Sequence, residues 1–247
     1  MKKSIGIAAA VVAAALFVSV AALPASAKKK PKNQPVVLTA EQLATAVIAI
    51  GDMPTDWSTS GPSDPLLTAD PVGGACGGPV EEARAQTAGA VAALGSSFEA
   101  GGGNGPNFYS RIYAFPSNKG AKAFVAANRS LLTTCPQQPD VDNNGNPVSI
   151  VLQEVSFPKI GDERVALRFV ATELDPDLQG ISYSTDQIYI RSANYVLAEG
   201  QSVSGGLLSE PGDPKLNETY AKLGLLKLKV AVRNAERAVK SKSGKGS

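Results

Sequence analysis

The sequence predicts a single α+β domain: a twisted antiparallel β-sheet with helices packed on one of its faces. Four runs rich in β-branched and aromatic residues lie near 148–157, 163–173, 183–191 and 194–202. Their short connections imply antiparallel neighbours. Segments with apolar residues three and four positions apart flank these runs and predict helices. The length of 247 residues suits one domain with tails.

The remaining elements follow from caps, periodicity and turn residues. The sequence from Thr39 to Gln42 has the form of a capping box, and Gly51 and Pro54 end the helix that it opens. A final amphipathic segment has apolar residues on the side that can pack on a sheet. In chain order we predict a helix over 39–50, a loop over 58–78, a short helix over 80–89, strands over 91–99 and 107–115, a helix over 117–134, the four runs above, and a helix over 214–239.

The N-terminus predicts export. Two lysines precede an apolar run from Ile5 to about Val20, and small residues stand three and one places before a break after Ala27. We therefore expect a signal peptide over 1–27, cleaved after Ala27, and a secreted protein that can associate with the cell envelope. A membrane anchor is the alternative, since the run approaches the roughly 20 residues that span a bilayer.

The only two cysteines, Cys76 and Cys135, predict one intramolecular disulfide bond. An exported chain meets oxidising surroundings, where an even cysteine count favours a disulfide over metal binding or catalysis. Closing a loop of this length stabilises a domain by roughly 4 kcal/mol in the simple chain-entropy model.

The chain contains no histidine, which restricts its chemistry. Histidine activates the nucleophile in Ser-His-Asp and Cys-His sites and is a common zinc ligand. We find no cofactor motif, so we expect a protein that is not an enzyme, with no catalytic residues, no metal and no cofactor.

The basic residues concentrate at the two ends of the chain. They predict a basic linker over 28–37 and a flexible basic tail over 240–247, around a domain that spans 38–239. We interpret these ends as solvated and disordered, and weak contact with an anionic envelope surface is the alternative. A nucleic-acid-binding domain would instead need basic residues on its folded face, so we expect no nucleic-acid partner. We also expect the protein to be a monomer.

The stretch from Asp140 to Asn146 resembles the start of a calcium loop, with oxygen ligands at the first, third and fifth places. Its twelfth place is Val151, where a bidentate glutamate should complete the coordination shell. Asn144-Gly145 is by itself a strong turn signal. We interpret the stretch as a turn and keep a weak cation site as the alternative.

Several short motifs resemble the extracellular sensor domain of actinobacterial PknH-type serine/threonine kinases and the exported stand-alone proteins like it. They are an opening helix that ends in Asp52-Met-Pro-Thr-Asp-Trp57, the cysteine pair, Ile160-Gly-Asp-Glu163 before a strand, and Tyr189-Ile-Arg-Ser-Ala-Asn-Tyr-Val196 as a late hairpin. The kinase sensors commonly have two cysteine pairs, whereas this chain has one. The resemblance implies a twisted antiparallel sheet with an open, ligand-sensing cleft and no catalytic residues.

Tyrosines and arginines recur at alternate positions of the predicted strands. In the run 163–172, for example, Arg164 and Arg168 lie opposite Val165 and Leu167. A face with such residues could stack on rings and hold carboxylate or phosphate groups. The alternative is an ordinary half-solvated sheet with its polar residues outward. The candidate ligand-binding residues are Tyr109, Arg111, Tyr113, Arg164, Arg168, Tyr183, Tyr189 and Arg191.

These observations predict an exported, non-catalytic domain. We expect it to recognise a small extracellular ligand or a component of the cell envelope in a sheet-lined cleft. The alternative is an envelope-associated module for protein–protein interaction.

Overall fold

Strand segments and amphipathic helices build one antiparallel sheet with helices packed against it. The computed structural model describes residues 35–61, 80–101, 105–141, 145–175, 177, 181–206 and 212–243. The strands are β1 (Trp57–Gly61), β2 (Ala92–Ala100), β3 (Asn107–Ala114), β4 (Gln137–Val141), β5 (Pro147–Glu154), β6 (Glu163–Glu173), β7 (Ser182–Ser192) and β8 (Tyr195–Gly206). The helices are α1 (Ala40–Ala44), α2 (Val80–Thr87), α3 (Asn118–Thr134) and α4 (Pro214–Ser243).

The sheet has the strand order β1-β2-β3-β8-β7-β6-β5-β4, and every neighbouring pair is antiparallel. The predicted antiparallel sheet and the α+β class are therefore confirmed. Three neighbouring strands, β1-β2-β3, come first in the chain, and the other five, β4-β5-β6-β7-β8, follow. Strand β8 closes the sheet by pairing with β3, which places the β7–β8 hairpin near its centre.

Helices cover both faces of the sheet, so the prediction that they pack on one face is wrong. On the first face, α1 and α4 contribute Leu43 and Leu225 to a core with Ile190. On the second face, α2 and α3 contribute residues such as Phe124 to a core with Tyr189. We call these faces the α4 side and the α3 side.

The central strands explain why two layers of helices are needed. Successive side chains of a strand point to opposite faces. Tyr189 and Ile190 are consecutive in β7, and both are fully buried. Leu197 and Ala198 of β8 are likewise buried on opposite faces. The arginines of β6 suggested that one face of the sheet is solvated. The neighbouring β7 and β8, however, carry buried apolar residues at both odd and even positions, so both faces need a covering layer.

The first helix is shorter than predicted. Thr39 forms the expected capping box with Gln42, but α1 ends at Ala44, and a 3₁₀ turn over Ile50–Asp52 follows a short irregular segment. The β-branched Thr45, Val47 and Ile48 follow Ala44 within four positions, and such residues lower helix propensity.

Two short strands, β1 and β4, were not predicted, because they lie in segments that read as loops. Strand β1 consists of small polar residues after Trp57, and β4 contains Pro139. Both lie at an edge of the sheet, where a proline costs no internal ladder bond. Strand β4 pairs with β5 and includes Asp140 and Val141, while residues 142–144 lie outside the described residues, so the turn interpretation of Asp140–Asn146 stays a prediction.

The ends of the predicted domain also differ in detail. Helix α4 continues to Ser243, beyond the predicted end of the helix at 239. Cys135 is buried at the C-terminus of α3, whereas Cys76 lies outside the described residues, so the disulfide stays a prediction. The predicted signal peptide also lies outside them. Within the described ranges, no helix is long and apolar enough to cross a membrane.

The turn between β7 and β8 fixes the segment that precedes α1. The buried Asn194 amide donates to the carbonyl oxygens of Phe115 and Val36, at 2.7 and 3.1 Å. The Tyr195 hydroxyl donates to the same Val36 oxygen at 2.7 Å and accepts from the Leu38 N–H at 3.1 Å. Because these bonds join positions far apart in the sequence, they tie the start of the domain to the centre of the sheet.

Asn194→Ala should lower the free energy of unfolding by about 2 kcal/mol, because the buried Phe115 carbonyl loses its side-chain donor and Val36 loses one of two. The measurement is chemical denaturation of the oxidised protein. The exposed Asn107→Ala is the matched control and should change stability by less than about 0.5 kcal/mol. Equal stabilities for the two variants would contradict the anchoring role of Asn194.

Candidate functional site

The eight predicted ligand-binding residues lie on both faces of the sheet. Strand alternation and register assign them, because residues paired across neighbouring strands share a face. The α3 side carries Tyr109, Arg111, Tyr113, Tyr183, Tyr189 and Arg191. The α4 side carries Arg164 and Arg168. A single face with all eight residues is therefore not formed, and ligand binding by any of them stays a prediction.

Four of these residues meet around a glutamate that was not predicted. Glu81, in the first turn of α2, accepts a hydrogen bond from the Tyr113 hydroxyl at 2.7 Å and one from the Tyr189 hydroxyl at 3.0 Å. Arg111 Nη1 lies 3.5 Å from Glu81 Oε1 and 3.1 Å from Glu82 Oε1. Glu81 is only 4% exposed, and a buried carboxylate is costly unless it is paired. We call these residues, together with Tyr109, the Glu81 cluster.

Helix α2 holds the cluster against the sheet. Its first turn contains both glutamates, where the helix dipole favours negative charge. Arg84 Nε donates to the buried Asn128 of α3 at 3.0 Å, and the Asn128 amide donates to the Phe124 carbonyl at 2.9 Å. The position of Glu81 therefore depends on α3 as well as on the sheet.

Tyr109 lies flat across the middle of the sheet because its neighbour on β8 is a glycine. A Cβ on Gly200 would lie 2.2 to 2.4 Å from three atoms of the Tyr109 side chain, so no other residue leaves room for it. The Arg111 guanidinium carbon lies 4.7 Å from the centre of the Tyr109 ring, in a cation–π contact. The ring and the guanidinium thus form a layered surface at the edge of the Glu81 cluster.

The protonation states in the cluster follow from burial and from the acidic neighbours. Burial, and then the charge of Glu81, raises the pKa of Tyr109, Tyr113 and Tyr189 well above the usual value. Burial followed by repulsion from Glu81 also raises the pKa of Glu82, although Arg111 acts against the rise. At neutral pH the tyrosines therefore remain hydroxyl donors.

Beside the cluster, polar side chains line the central strands on the α3 side. One row across the sheet pairs Ser97 with Tyr109, Tyr109 with Gly200, and Gly200 with Gln187. In the next row, Thr185 pairs with Ser202, and their hydroxyl oxygens lie 3.0 Å apart. The side chains are all half-buried. We call this surface the polar face, and define it by Ser97, Tyr109, Thr185, Gln187 and Ser202.

Arg191 stabilises the β7–β8 turn and is not part of the Glu81 cluster. Its guanidinium contacts Asp162 at 3.0 Å and Glu163 at 3.4 Å. Asp162 also accepts a hydrogen bond from the backbone N–H of Ala193 at 2.8 Å. Gly161 has φ +73°, and a Cβ there would lie 2.5 Å from the Arg191 carbonyl oxygen. Gly161 and Asp162 thus pack closely against the β7–β8 turn and hold its conformation.

On the α4 side, both predicted arginines have partners within the protein. Arg168 donates to both carboxylate oxygens of Asp186, at 2.6 and 2.9 Å, and Arg164 Nε donates to the Phe157 carbonyl at 2.8 Å. The bidentate Arg168–Asp186 pair occupies the geometry that would bind a ligand carboxylate. Arg168 would have to exchange its partner in order to hold a ligand.

A second polar group lies buried beneath α4. Glu199 is fully buried, and its Oε1 accepts from the Ser110 hydroxyl at 3.4 Å. Among the residues that the structure describes, its Oε2 has no hydrogen-bond partner, and the same holds for Gln201 Oε1 and Asn217 Oδ1. Burial raises the pKa of Glu199 well above the usual value. Burial therefore favours the neutral acid form of Glu199.

A cavity of about 490 Å³ lies between α4 and the β7–β8 turn. Its apolar walls include Val36, Tyr195, Leu228 and Val232, and the charged Lys229, Arg233 and Glu236 also line it. The Tyr195 hydroxyl is already bonded to Val36 and Leu38. The cavity therefore presents a mainly apolar wall, in contrast to the polar face.

The structure also bears on the cation alternative at Asp140–Asn146. The stretch connects β4 and β5, with Gly145 at φ +86°, and residues 142–144 lie outside the described part. In the described part of the chain, no group of three or more acidic or cysteine side chains could hold a metal ion. A weak cation site there stays untested.

Sequence reasoning missed Glu81, Glu82 and Gln187. The sequence did contain a signal for the glutamates, since both stand in the first turn of a predicted helix. Acidic residues are favoured there, and one of them can point toward the sheet. Which sheet residues they would meet depended on the β3–β8 pairing, which joins strands far apart in the sequence. Gln187 alternates with apolar residues and shares its strand face with Tyr183, Tyr189 and Arg191, but it was not among the candidate ligand-binding residues.

Comparison with known proteins identifies a related fold. No protein-family model matches the chain, and no curated protein is a significant relative. The extracellular domain of PknH from Mycobacterium tuberculosis matches with a TM-score of 0.50 and 14% identity, over 78% of this chain and 98% of that one. An uncharacterised protein of Mycobacterium smegmatis, an Rv0999 ortholog, gives a TM-score of 0.36 and 14% identity, over 74% and 92%. The predicted resemblance to PknH is thus confirmed at the level of the fold.

Glu199→Gln should remove a pH dependence of stability. In the unfolded chain Glu199 ionises near 4.5, whereas the folded-state pKa is raised. Its contribution to stability is complete below pH 4.5 and is lost as the pH rises through the folded-state value, at up to about 1.4 kcal/mol per unit. The unfolding free energy of the variant relative to wild type should therefore increase with pH above 4.5.

The measurement is urea denaturation at a series of pH values between 4 and 8. Glu154→Gln, the same substitution on an exposed side chain, controls for the loss of one negative charge. A constant difference between Glu199→Gln and wild type across this range would contradict a neutral, buried Glu199.

Proposed function

We propose that the protein is an exported, non-catalytic binding domain whose polar face recognises a small ligand rich in hydroxyl groups, such as a saccharide of the cell envelope. The observation that carries the proposal is the row of half-buried polar side chains on central strands of the sheet. The proposed ligand lies across β3, β8 and β7, beside the Glu81 cluster.

The placement of the polar face supports this proposal. Central strands ordinarily bury apolar side chains under a helix, as β7 and β8 do at Tyr189 and Val196. In the next two rows along the same strands, Gln187 and then Thr185 with Ser202 stand instead. Hydroxyl and amide groups fix ligand orientation in most small-molecule sites. On this face of β7 and β8, the side chains thus change from apolar ones that form a core to polar ones that suit a polar ligand.

Tyr109 and Arg111 supply the ring and the planar cation that border this surface. The Glu81 cluster holds Arg111 in place and leaves its side chain 27% exposed. A sugar ring or a small carboxylate can contact such a layered aromatic and guanidinium surface. The remaining predicted residues, Arg164, Arg168 and Arg191, hold other parts of the fold, so we leave them out of the proposed contact surface.

The fold and the N-terminal sequence support an exported binding role. The matched fold belongs to an extracellular domain, and residues 1–27 have the pattern of an export signal. The absence of histidine from the chain supports a non-catalytic role, and so does the engagement of Glu81 by two tyrosine hydroxyls. The PknH-type sensor domain remains our model for this role.

The test is a thermal-shift screen of the oxidised protein from Lys28 onward, followed by calorimetry on each positive compound. The compounds are N-acetylglucosamine oligomers, mannose oligosaccharides and small dicarboxylates, each measured with and without a chelator. Thr185→Val with Ser202→Ala should weaken a positive compound about tenfold, because two hydroxyl contacts are lost. Their mutual hydrogen bond is removed from both sides, so the fold should keep its stability.

The matched control is Ser149→Ala with Thr172→Val, a cross-strand hydroxyl pair on β5 and β6 away from the polar face. This control should bind like wild type. Equal weakening in both double variants would place the effect on the fold and refute the polar face as the site. If no compound binds and a protein partner is recovered with the intact chain, the interaction module is the better account.

A further inference from the structure

Helix α4 has two different faces along most of its length. Its inward side chains, such as Tyr220, Leu225 and Leu228, are buried against the α4 side of the sheet. The residues on the opposite side of the helix are exposed. The 30-residue helix therefore contributes to the core with one face and presents a long surface with the other.

The outward surface is strongly basic. The outward side chains are spaced by four, three, four and four residues, from Lys222 through Leu226, Lys229 and Arg233 to Arg237. These spacings align them along one line of the helix. The only acidic residues of α4 are Glu218 and Glu236. We define the basic face of α4 by Lys222, Leu226, Lys229, Val230, Arg233 and Arg237.

Most of these cations have no acidic partner within the protein. Lys222 pairs with Glu218. Among the residues that the structure describes, Lys229, Arg233 and Arg237 form no ion pair, and the Arg233 Nε–H bonds only to the Lys229 carbonyl, at 3.3 Å. Their charge is therefore available to an external anionic surface.

Two large apolar side chains lie in the middle of this charged surface. Leu226 is 56% exposed and Val230 is 42% exposed, and they are neighbours four positions apart. A soluble polyanion would contact the cations and gain little from Leu226 or Val230. A lipid interface gains from both, because apolar side chains enter the region below the headgroups while Lys and Arg contact the phosphates.

We propose that the basic face of α4 docks the protein on a membrane surface rich in anionic lipids. The charge complementarity and the central apolar pair are the features that favour this partner. The polar face lies on the opposite side of the sheet from α4. Docking in this orientation directs the polar face away from the membrane, toward the surrounding envelope, but it does not require that the polar face bind a ligand.

The test is cosedimentation of the chain from Lys28 onward with vesicles of equal parts phosphatidylglycerol and phosphatidylcholine, and with vesicles of phosphatidylcholine alone. We expect binding to the anionic vesicles that weakens strongly with salt, and at least tenfold weaker binding to the neutral ones. Arg233→Gln with Arg237→Gln should reduce partition into anionic vesicles at least tenfold. Lys119→Gln with Lys122→Gln, the same charge change on exposed positions of α3, should reduce it less than twofold.

A second pair of variants tests the apolar contribution. Leu226→Ser should weaken partition severalfold, whereas Val91→Ser, at a side chain of matched 55% exposure away from α4, should leave it unchanged. Equal binding to both kinds of vesicle, or equal loss in the α3 and α4 charge variants, would overturn the proposal. So would stronger binding to duplex DNA than to vesicles with no effect of Leu226→Ser, which would indicate a polyanion surface.

Discussion

The burial of the β7–β8 hairpin on both faces is the constraint on which the rest of the structure depends. Tyr189 and Ile190, consecutive in sequence, each need a hydrophobic layer on their own side. The α3 side and the α4 side supply those layers from distant parts of the chain. The hairpin turn also binds the first segment of the domain through Asn194 and Tyr195, so both the sheet and its N-terminal entry depend on it.

This constraint also determines where polar groups can stand. Where helices cover the hairpin, its polar atoms need partners inside the protein, as the Tyr189 hydroxyl finds in Glu81. In the next two rows, Gln187 and then Ser202 remain half-buried and belong to the polar face. On the α4 side the same strands bury Glu199 with few partners among the described residues, and burial there favours its protonated form. The two sides of one hairpin thus carry different chemistry.

Much of the sheet could be predicted from local sequence, and its layers could not. The alternation in β6, β7 and β8 gave their extents closely, and the spacing in α3 gave that helix. The pairing of β3 with β8 places β7 and β8 at the centre of the sheet, where both of their faces are buried by helices. No local sequence pattern encodes this long-range pairing. The site was predictable only in part for the same reason. Tyr113 and Tyr189 were found by strand phase, but Glu81, which joins them, comes from a helix whose docking position depends on Asn128.

The polar face is the central claim about function, and it can be tested directly by a backbone NMR titration of the oxidised protein with the envelope saccharide that binds most tightly. The account predicts that the largest amide shifts occur at Tyr109, Gln187 and Gly200, with the opposite side of the sheet unchanged. Shifts confined to Val36, Tyr195 and Leu228 would place the ligand in the cavity beside α4 and contradict the account.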